Sequence, residues 1–334
     1  MQINSMVGLK RPLAILTAVL LTFICIKNIF GFAYLPKARI IEFTYDIEVP
    51  SLPANAKDLK VWIPAPSEGS YQDVTLKTID PLISPKISRD KIFHNKILYY
   101  LFESPRNGVH LDLQYKIRRY ERAFGLSGKN RMNNDDKESL AKYLASNRLM
   151  VISKEIKEMA AQIVKGRTAA IEKARTIYDY CLANLSYDKS IPGWGNGDTM
   201  RACSVKAGNC TDFHSLFVSL ARAAGIPAKF VIGFSIPKQK EGEIASYHCW
   251  AEFYDYDRGW VPVDVSEAWK DRGKADYYFG NLDEDRIEFT EGRDIVLDPP
   301  ANAGALNYFI YPYAELDGRP VENVRTHFRF KEIT

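Results

Sequence analysis

The 334-residue chain has almost no excess of charge: 45 lysines and arginines stand against 41 aspartates and glutamates. Residues 1–33 hold three basic residues and no acidic one, which leaves the remainder at +1. That balance gives no electrostatic footprint for nucleic acid or an anionic membrane surface. Long apolar runs are missing too. The stretch Leu13 to Ile26 is shorter than the about 20 residues a membrane-spanning helix needs. Close Cys-x-x-Cys pairs are also absent, so a zinc site built from Cys203, Cys210, His248 and Cys249 lacks the usual spacing of structural zinc. No metal and no cofactor are expected.

What is present around Leu13 to Ile26 points to export. Lys10 and Arg11 precede it, and Lys27 and the small-residue pattern Gly31-Phe32-Ala33 follow, the layout of a secretory signal peptide cut after Ala33. Left uncut, residues 12–33 would anchor the chain. Cys25 follows the bulky Ile24, which argues against a lipoprotein. A periplasmic or extracellular location is the expectation, with any membrane contact confined to this segment. The cysteines beyond it, Cys181, Cys203, Cys210 and Cys249, are even in number, which in an oxidising compartment predicts one or two disulfides.

Residues 38–124 read as an antiparallel β-sandwich. Ile41 to Val49 and Val109 to Ile117 alternate apolar and polar residues, Leu59 to Pro64 and Ile97 to Leu101 add candidate strands, and prolines and glycines punctuate between them. His94 and His110 read as ordinary strand or surface residues. The polar segment 125–136 reads as a linker, and 137–334 as a second domain. It opens with helical patterns over Asp135 to Ala145, Ser153 to Val164 and Thr168 to Asn184, with Cys181 on the core stripe of the last. Strands follow over Ala228 to Phe234, Tyr247 to Tyr254, Trp260 to Val265, Asn307 to Tyr313 and Val324 to Phe330. Helices first and strands after them give an α+β domain.

The junction Gly208-Asn209-Cys210-Thr211-Asp212 carries the chemistry. Asn209 is a good N-cap, Asp212 stands where a capping box needs it, and Leu216, Phe217, Leu220, Ala221 and Ala224 continue an apolar face to the stop Gly225-Ile226-Pro227. Cys210 therefore heads a buried helix, where unpaired N–H groups and the helix dipole favour thiolate. Asp212 opposes this, so a base is needed. His248 lies in an apolar strand and Asp264 ends the next one. A hairpin symmetric about Tyr256 would place them face to face, with a bulge at Gly259 able to shift the register by one. His214 is the rival base, one turn from Cys210, but it has no evident carboxylate partner and points along the core stripe. His327 has no such company.

Gly208-x-Cys210, then Leu216-Phe217-x-x-Leu220-x-Arg222-x-x-Gly225-Ile226-Pro227-Ala228, His248-x-Trp250-x-Glu252 and Gly259-Trp260-x-Pro262-x-Asp264 resemble the transglutaminase-like superfamily over residues 150–300. The run Cys210 to Phe217, with Asp285-Arg286 and Gly292-Arg293-Asp294, resembles a bacterial branch of it. The resemblance implies a papain-like α+β core with Cys210 as nucleophile, His248 as base and Asp264 as its orienter, acting by acyl transfer on peptide or glutamine-type amides. Hydrolysis is placed slightly ahead of amine cross-linking. Val265 stands where many members carry proline, before a Thr or Ser represented here by Ser266, and little effect is expected from that. The Cys210 N–H would supply one oxyanion donor, with Trp194 and Asn196 as candidates for the second. The partner is then a peptide or protein substrate. Two rivals remain: a catalytically silent binding or structural protein of the envelope, and a disulfide joining Cys203 or Cys249 to Cys210 that would silence the thiol.

Overall fold

In the computed structural model, the alternation over Ile41–Val49 becomes β1 (Ala38–Val49), whose odd-numbered side chains are buried along its length. The described residues are 36–50, 52–78, 84–105, 107–123 and 137–333. The expected leader 1–33 and the expected linker 125–136 lie outside them. After β1 come β2 (Asp58–Pro64), β3 (Gln72–Thr78), β4 (Lys86–Arg89), β5 (Lys96–Glu103) and β6 (Val109–Tyr120).

Helices then alternate with short strands: α1 (Lys137–Ala141), α2 (Lys154–Ile163), α3 (Ala170–Asn184), β7 (Ser186–Tyr187), α4 (Thr199–Val205), β8 (Ala207–Gly208) and α5 (Cys210–Ala223). The rest is β9 (Ala228–Ser235), β10 (Glu241–Glu243), β11 (His248–Asp255), β12 (Gly259–Val263), α6 (Val265–Lys270), β13 (Arg286–Glu291), β14 (Ile295–Val296), β15 (Ala305–Leu306), β16 (Tyr313–Leu316), β17 (Arg319–Pro320) and β18 (Arg325–Glu332).

The N-terminal strands build two five-stranded sheets, ordered β10-β18-β1-β6-β3 and β17-β16-β2-β5-β4. Both take strands from the far end of the chain. Phe43 of β1 pairs with Phe330 of β18 and Trp62 of β2 with Tyr313 of β16, partners that lie beyond the 38–124 span of the sequence reading. Asn307 to Pro312, expected as part of a strand, is irregular. Pro312 has no N–H for a ladder, and the carbonyls of Phe309 and Ile310 are taken instead by the hydroxyls of Thr290 and Tyr45.

The mixed α/β core is a four-stranded antiparallel sheet, β12-β11-β9-β13, covered by α5. Its α5-facing side is apolar: Phe217 of α5 meets Phe253 of β11 with ring centroids 6.5 Å apart. A cluster of Phe43, Phe234, Phe289 and Phe328 joins this sheet to the first five-stranded one, with centroids 4.4 to 6.2 Å apart. Such ring pairs add roughly 0.5–1.5 kcal/mol each beyond the area they bury. Residues 37–334 accordingly form one compact unit.

Candidate active site

α5 starts as its sequence requires. The Asn209 side chain accepts the Thr211 N–H at 2.9 Å, and the Asp212 carboxylate accepts the N–H groups of Asn209 at 2.9 Å and Gly195 at 2.8 Å. Asp212 thus ties the cap to the preceding loop, and burial raises its pKa. A Cβ on Gly208 would lie 2.2 Å from that carboxylate, so glycine is needed there for the close approach. Cys210, the first residue of the helix, is 2 % exposed.

The β11–β12 register differs from the symmetric reading. Tyr254 pairs with Trp260 and Asp255 with Gly259, which centres the hairpin on Asp257, and β12 ends at Val263. The one-residue shift alters sums of paired positions by two, so His248 and Asp264 keep the same face and become diagonal neighbours. Asp264 leaves the strand to cap α6 and so reaches His248: Nε2 of the imidazole lies 2.7 Å from Oδ2. The other ring nitrogen is left for the Cys210 thiol, whose pKa the neighbouring imidazole lowers.

Asp264 is fully buried and densely held. Its Oδ1 accepts the Ser266 hydroxyl at 3.0 Å and the Glu267 N–H at 2.9 Å, and its Oδ2 takes the Arg286 guanidinium at 3.2 Å as well as His248. Burial would raise its pKa, but His248, Arg286 and His214 overcome this and hold the carboxyl far below the usual range. Burial likewise works against a charged His248, yet the Asp264 charge and hydrogen bond, with Cys210, raise its pKa to about 9. The Cys210 thiol is pushed well below its ordinary value by a hydrogen bond from Cys249, against burial, and then by His248. Both shifts favour a thiolate–imidazolium pair over the neutral one.

The described cysteines are free thiols, a correction to the disulfide expectation. Cys249 sits beside Cys210 as a hydrogen-bond donor whose own pKa is raised by burial, and its sulfur is 3.8 Å from both the Thr211 hydroxyl and His214 Nδ1. His214 is fully buried with both nitrogens occupied: Nδ1–H donates to the Cys210 carbonyl at 2.8 Å and Nε2 accepts the Val265 N–H at 3.0 Å. Contrary to the sequence reading it does have a carboxylate near it, Asp264 Oδ1 at 3.6 Å from Nε2. With burial lowering its pKa, it is a neutral strut, not a base. Val265 acquires a role here, since a proline at that position could not donate to His214.

Trp194 and Asn196 are not brought to Cys210 by any hydrogen bond or ring contact among the described residues. Trp194 is 39 % exposed with the Lys189 ammonium 5.1 Å from its ring centre, and Asn196 uses its carbonyl to accept from Arg293 at 2.7 Å and Asn307 at 2.9 Å. The sequence reading missed Tyr187. Its strand β7 runs parallel to β8, pairing Tyr187 with Gly208, and this brings Tyr187 close to the Cys210 backbone. An oxyanion placed between the Tyr187 hydroxyl and the Cys210 N–H would meet two donors. The short Ser186-Tyr187 strand gives too little periodicity to announce this. Two aromatic groups lie near the thiol, Tyr187 with Trp269 and Tyr247 with Tyr308 and Tyr311, ring centroids 5.6 to 6.4 Å apart.

The later pairs Asp285-Arg286 and Gly292-Arg293-Asp294 hold the surroundings in place. Arg286 grips Asp264, Asp285 binds Arg39 at 2.6 Å, and Arg293 joins the Ser215 hydroxyl of α5 to the Asn196 carbonyl. Residues 157–265, which include the cysteine helix and both strands of the His–Asp pair, match the family model of the transglutaminase-like superfamily. This segment is a transglutaminase-like core.

An uncharacterized protein of Haemophilus influenzae is 28 % identical over 331 aligned residues, covering 87 % of this chain and 89 % of its own. Among solved structures, a candidate cysteine protease from Cytophaga hutchinsonii shares the fold with a TM-score of 0.55 at 14 % identity, covering 89 % of this chain and 92 % of that one. The periplasmic domain of TgpA from Pseudomonas aeruginosa aligns with a TM-score of 0.41 at 14 % identity over 74 % of this chain and 96 % of the domain.

Proposed function

We propose that the transglutaminase-like core is an exported cysteine-dependent acyl-transfer enzyme that cleaves peptide or glutamine-type amides, with Cys210 as nucleophile, His248 as acid and base and Asp264 as its orienter. The observation that carries this is the 2.7 Å His248–Asp264 bond beside a thiol whose surroundings favour the thiolate. Cys210 Sγ attacks the amide carbonyl carbon. The developing oxyanion is met by the Cys210 N–H and the Tyr187 hydroxyl. The His248 imidazolium then gives its proton to the leaving amine as the C–N bond breaks, leaving a thioester. Water deprotonated by His248 attacks that thioester, releases the acid and restores the thiolate; an amine in place of water gives a cross-link. Hydrolysis is placed first because the Cytophaga hutchinsonii protein of the same fold is a candidate cysteine protease. The aromatic groups near the thiol suit an extended peptide.

The test is release of acid and of transamidated product from glutamine-containing peptides, with and without an added primary amine. Acid release by wild type, absent in Cys210→Ala, supports the proposal; no turnover of any amide together with an unreactive Cys210 would leave a silent binding protein. The active ion pair exists between the lowered Cys210 pKa and the His248 pKa of about 9. Turnover is therefore expected to hold level across neutral pH and to fall as pH rises through about 9, where the imidazolium loses its proton. A kcat profile that instead climbs steadily from pH 7 to 10, as for an unassisted thiol, would contradict this.

Tyr187→Phe separates the oxyanion role from packing. The ring and its contacts with Phe213 and Trp269 stay, while one donor is lost. A fall in kcat of roughly 10²-fold or more with little change in KM is expected, the loss typical of one oxyanion donor. A kcat within about threefold of wild type would remove Tyr187 from the mechanism.

A further inference from the structure

A cavity of about 800 Å³ lies among the β2–β3 loop, the β4–β5 turn and the ends of β9, β11 and β13. Neither Cys210 nor His248 borders it. Glu252 and Tyr254 of β11 line it, whereas Cys249 and Phe253 of the same strand contact α5, so the cavity stands mainly over the opposite side of the sheet. Its inner wall is charged. Arg122 binds Glu252 at 2.6 Å, and Lys229 binds Glu291 at 2.6 Å and Glu252 at 3.5 Å, so these four neutralise one another.

Arg119 and Glu288 remain. Arg119 is 2 % exposed, and its guanidinium makes no hydrogen bond or ion pair with any described residue; Nε is buried without a partner. The Glu288 carboxylate also has no such bond, although its backbone is clamped by the Gln72 amide, which accepts from its N–H and donates to its carbonyl at 2.8 Å each. The two side chains feel each other's charge without forming a pair. Burial draws the Arg119 pKa down to about 10, the response of a charge taken from water without compensation, and burial together with the Glu252 charge raises that of the half-buried Glu288.

We propose that this cavity binds a small zwitterion of the free amino acid or short peptide class, with its carboxylate on Arg119 and its ammonium group on Glu288. A simple anion such as phosphate would face Glu252, Glu288 and Glu291, and a simple cation would face Arg119, Arg122 and Lys229. A ligand carrying both signs completes both orphaned groups at once. The planar guanidinium suits a carboxylate through two parallel hydrogen bonds. Tyr71 and Trp260, each already beneath a cation of the wall, supply apolar surface for the body of the ligand. The site does not depend on the reading of Cys210.

The test is calorimetric titration of the full chain with L-alanine and with dialanine, using acetate and ethylamine as single-charge controls. Saturable binding of alanine or dialanine is expected below about 10 mM, with both controls at least about tenfold weaker. Arg119→Gln and Glu288→Gln should each weaken binding at least about tenfold. No saturation of the wild type by either zwitterion, acetate binding as well as alanine, or undiminished binding in both variants would each overturn the proposal. Should either variant fail to fold, the wild-type comparison with the single-charge controls decides it alone.

Discussion

Cys210→Ala is expected to reduce amide turnover by at least about 10⁴-fold, and His248→Ala added to it to cost nothing further. The two residues are expected to act as one unit, because His248 lowers the Cys210 pKa and Cys210 raises that of His248. Once either is gone the other has no step to perform. Alkylation read by mass spectrometry checks the same unit without a substrate. Cys210 should label in wild type well below the about 8.5 pKa of a free thiol, and lose that reactivity in His248→Ala. Cys249 is the internal control, since burial and its donation to Cys210 raise its pKa and keep it a thiol. Preferential labelling of Cys249, or labelling of Cys210 indifferent to His248, would defeat the ion-pair account.

The cysteine-headed helix was legible in the sequence because helix signals are local. Asn209, Asp212 and the apolar stripe to Gly225 lie within a few turns, and the cap forms as those residues dictate. The His–Asp pair was legible for a sturdier reason than register. The turn shifts by one residue, but both partners keep their parity, and Asp264 gains reach by turning into a helix cap. What stayed hidden depends on the meeting of distant segments. Tyr187 is delivered by a two-residue parallel pairing, and although the pair Asp285-Arg286 was part of the resemblance, nothing local told that Arg286 reaches Asp264. The C-terminal strands β16 and β18 join sheets begun some 250 residues earlier, and no local pattern specifies such partners. Cys249 invited a disulfide reading because cysteine count ignores surroundings; beside a thiolate and two histidines it serves as a donor.

Asp264→Asn should damage catalysis and stability together, with different dependences on pH. With its one oxygen toward Glu267 and Ser266 the amide sets its NH₂ group against His248 Nε2 and Arg286, and flipped it gives them only a neutral carbonyl and leaves the Glu267 N–H unpaired. The imidazole loses the charge that selects its tautomer, and kcat is expected to fall by roughly 10³–10⁴-fold. Arg286 keeps Asp283 at 3.1 Å, so the loss of stability should sit near the lower end of the roughly 3–5 kcal/mol for breaking a buried ion pair. The depressed Asp264 pKa means its contribution is in force above an unfolded value of about 3.9 and fades as pH falls toward the folded value. His248 is raised, so its contribution is complete below about 6.5 and is lost as pH climbs through about 9. Wild type should therefore exceed Asp264→Asn in denaturation midpoint most strongly between about pH 4 and 6.5, with the gap narrowing toward pH 9. A gap that is constant from pH 5 to 9 would mean that Asp264 acts on the fold through its helix cap alone and that His248 is not its ionic partner.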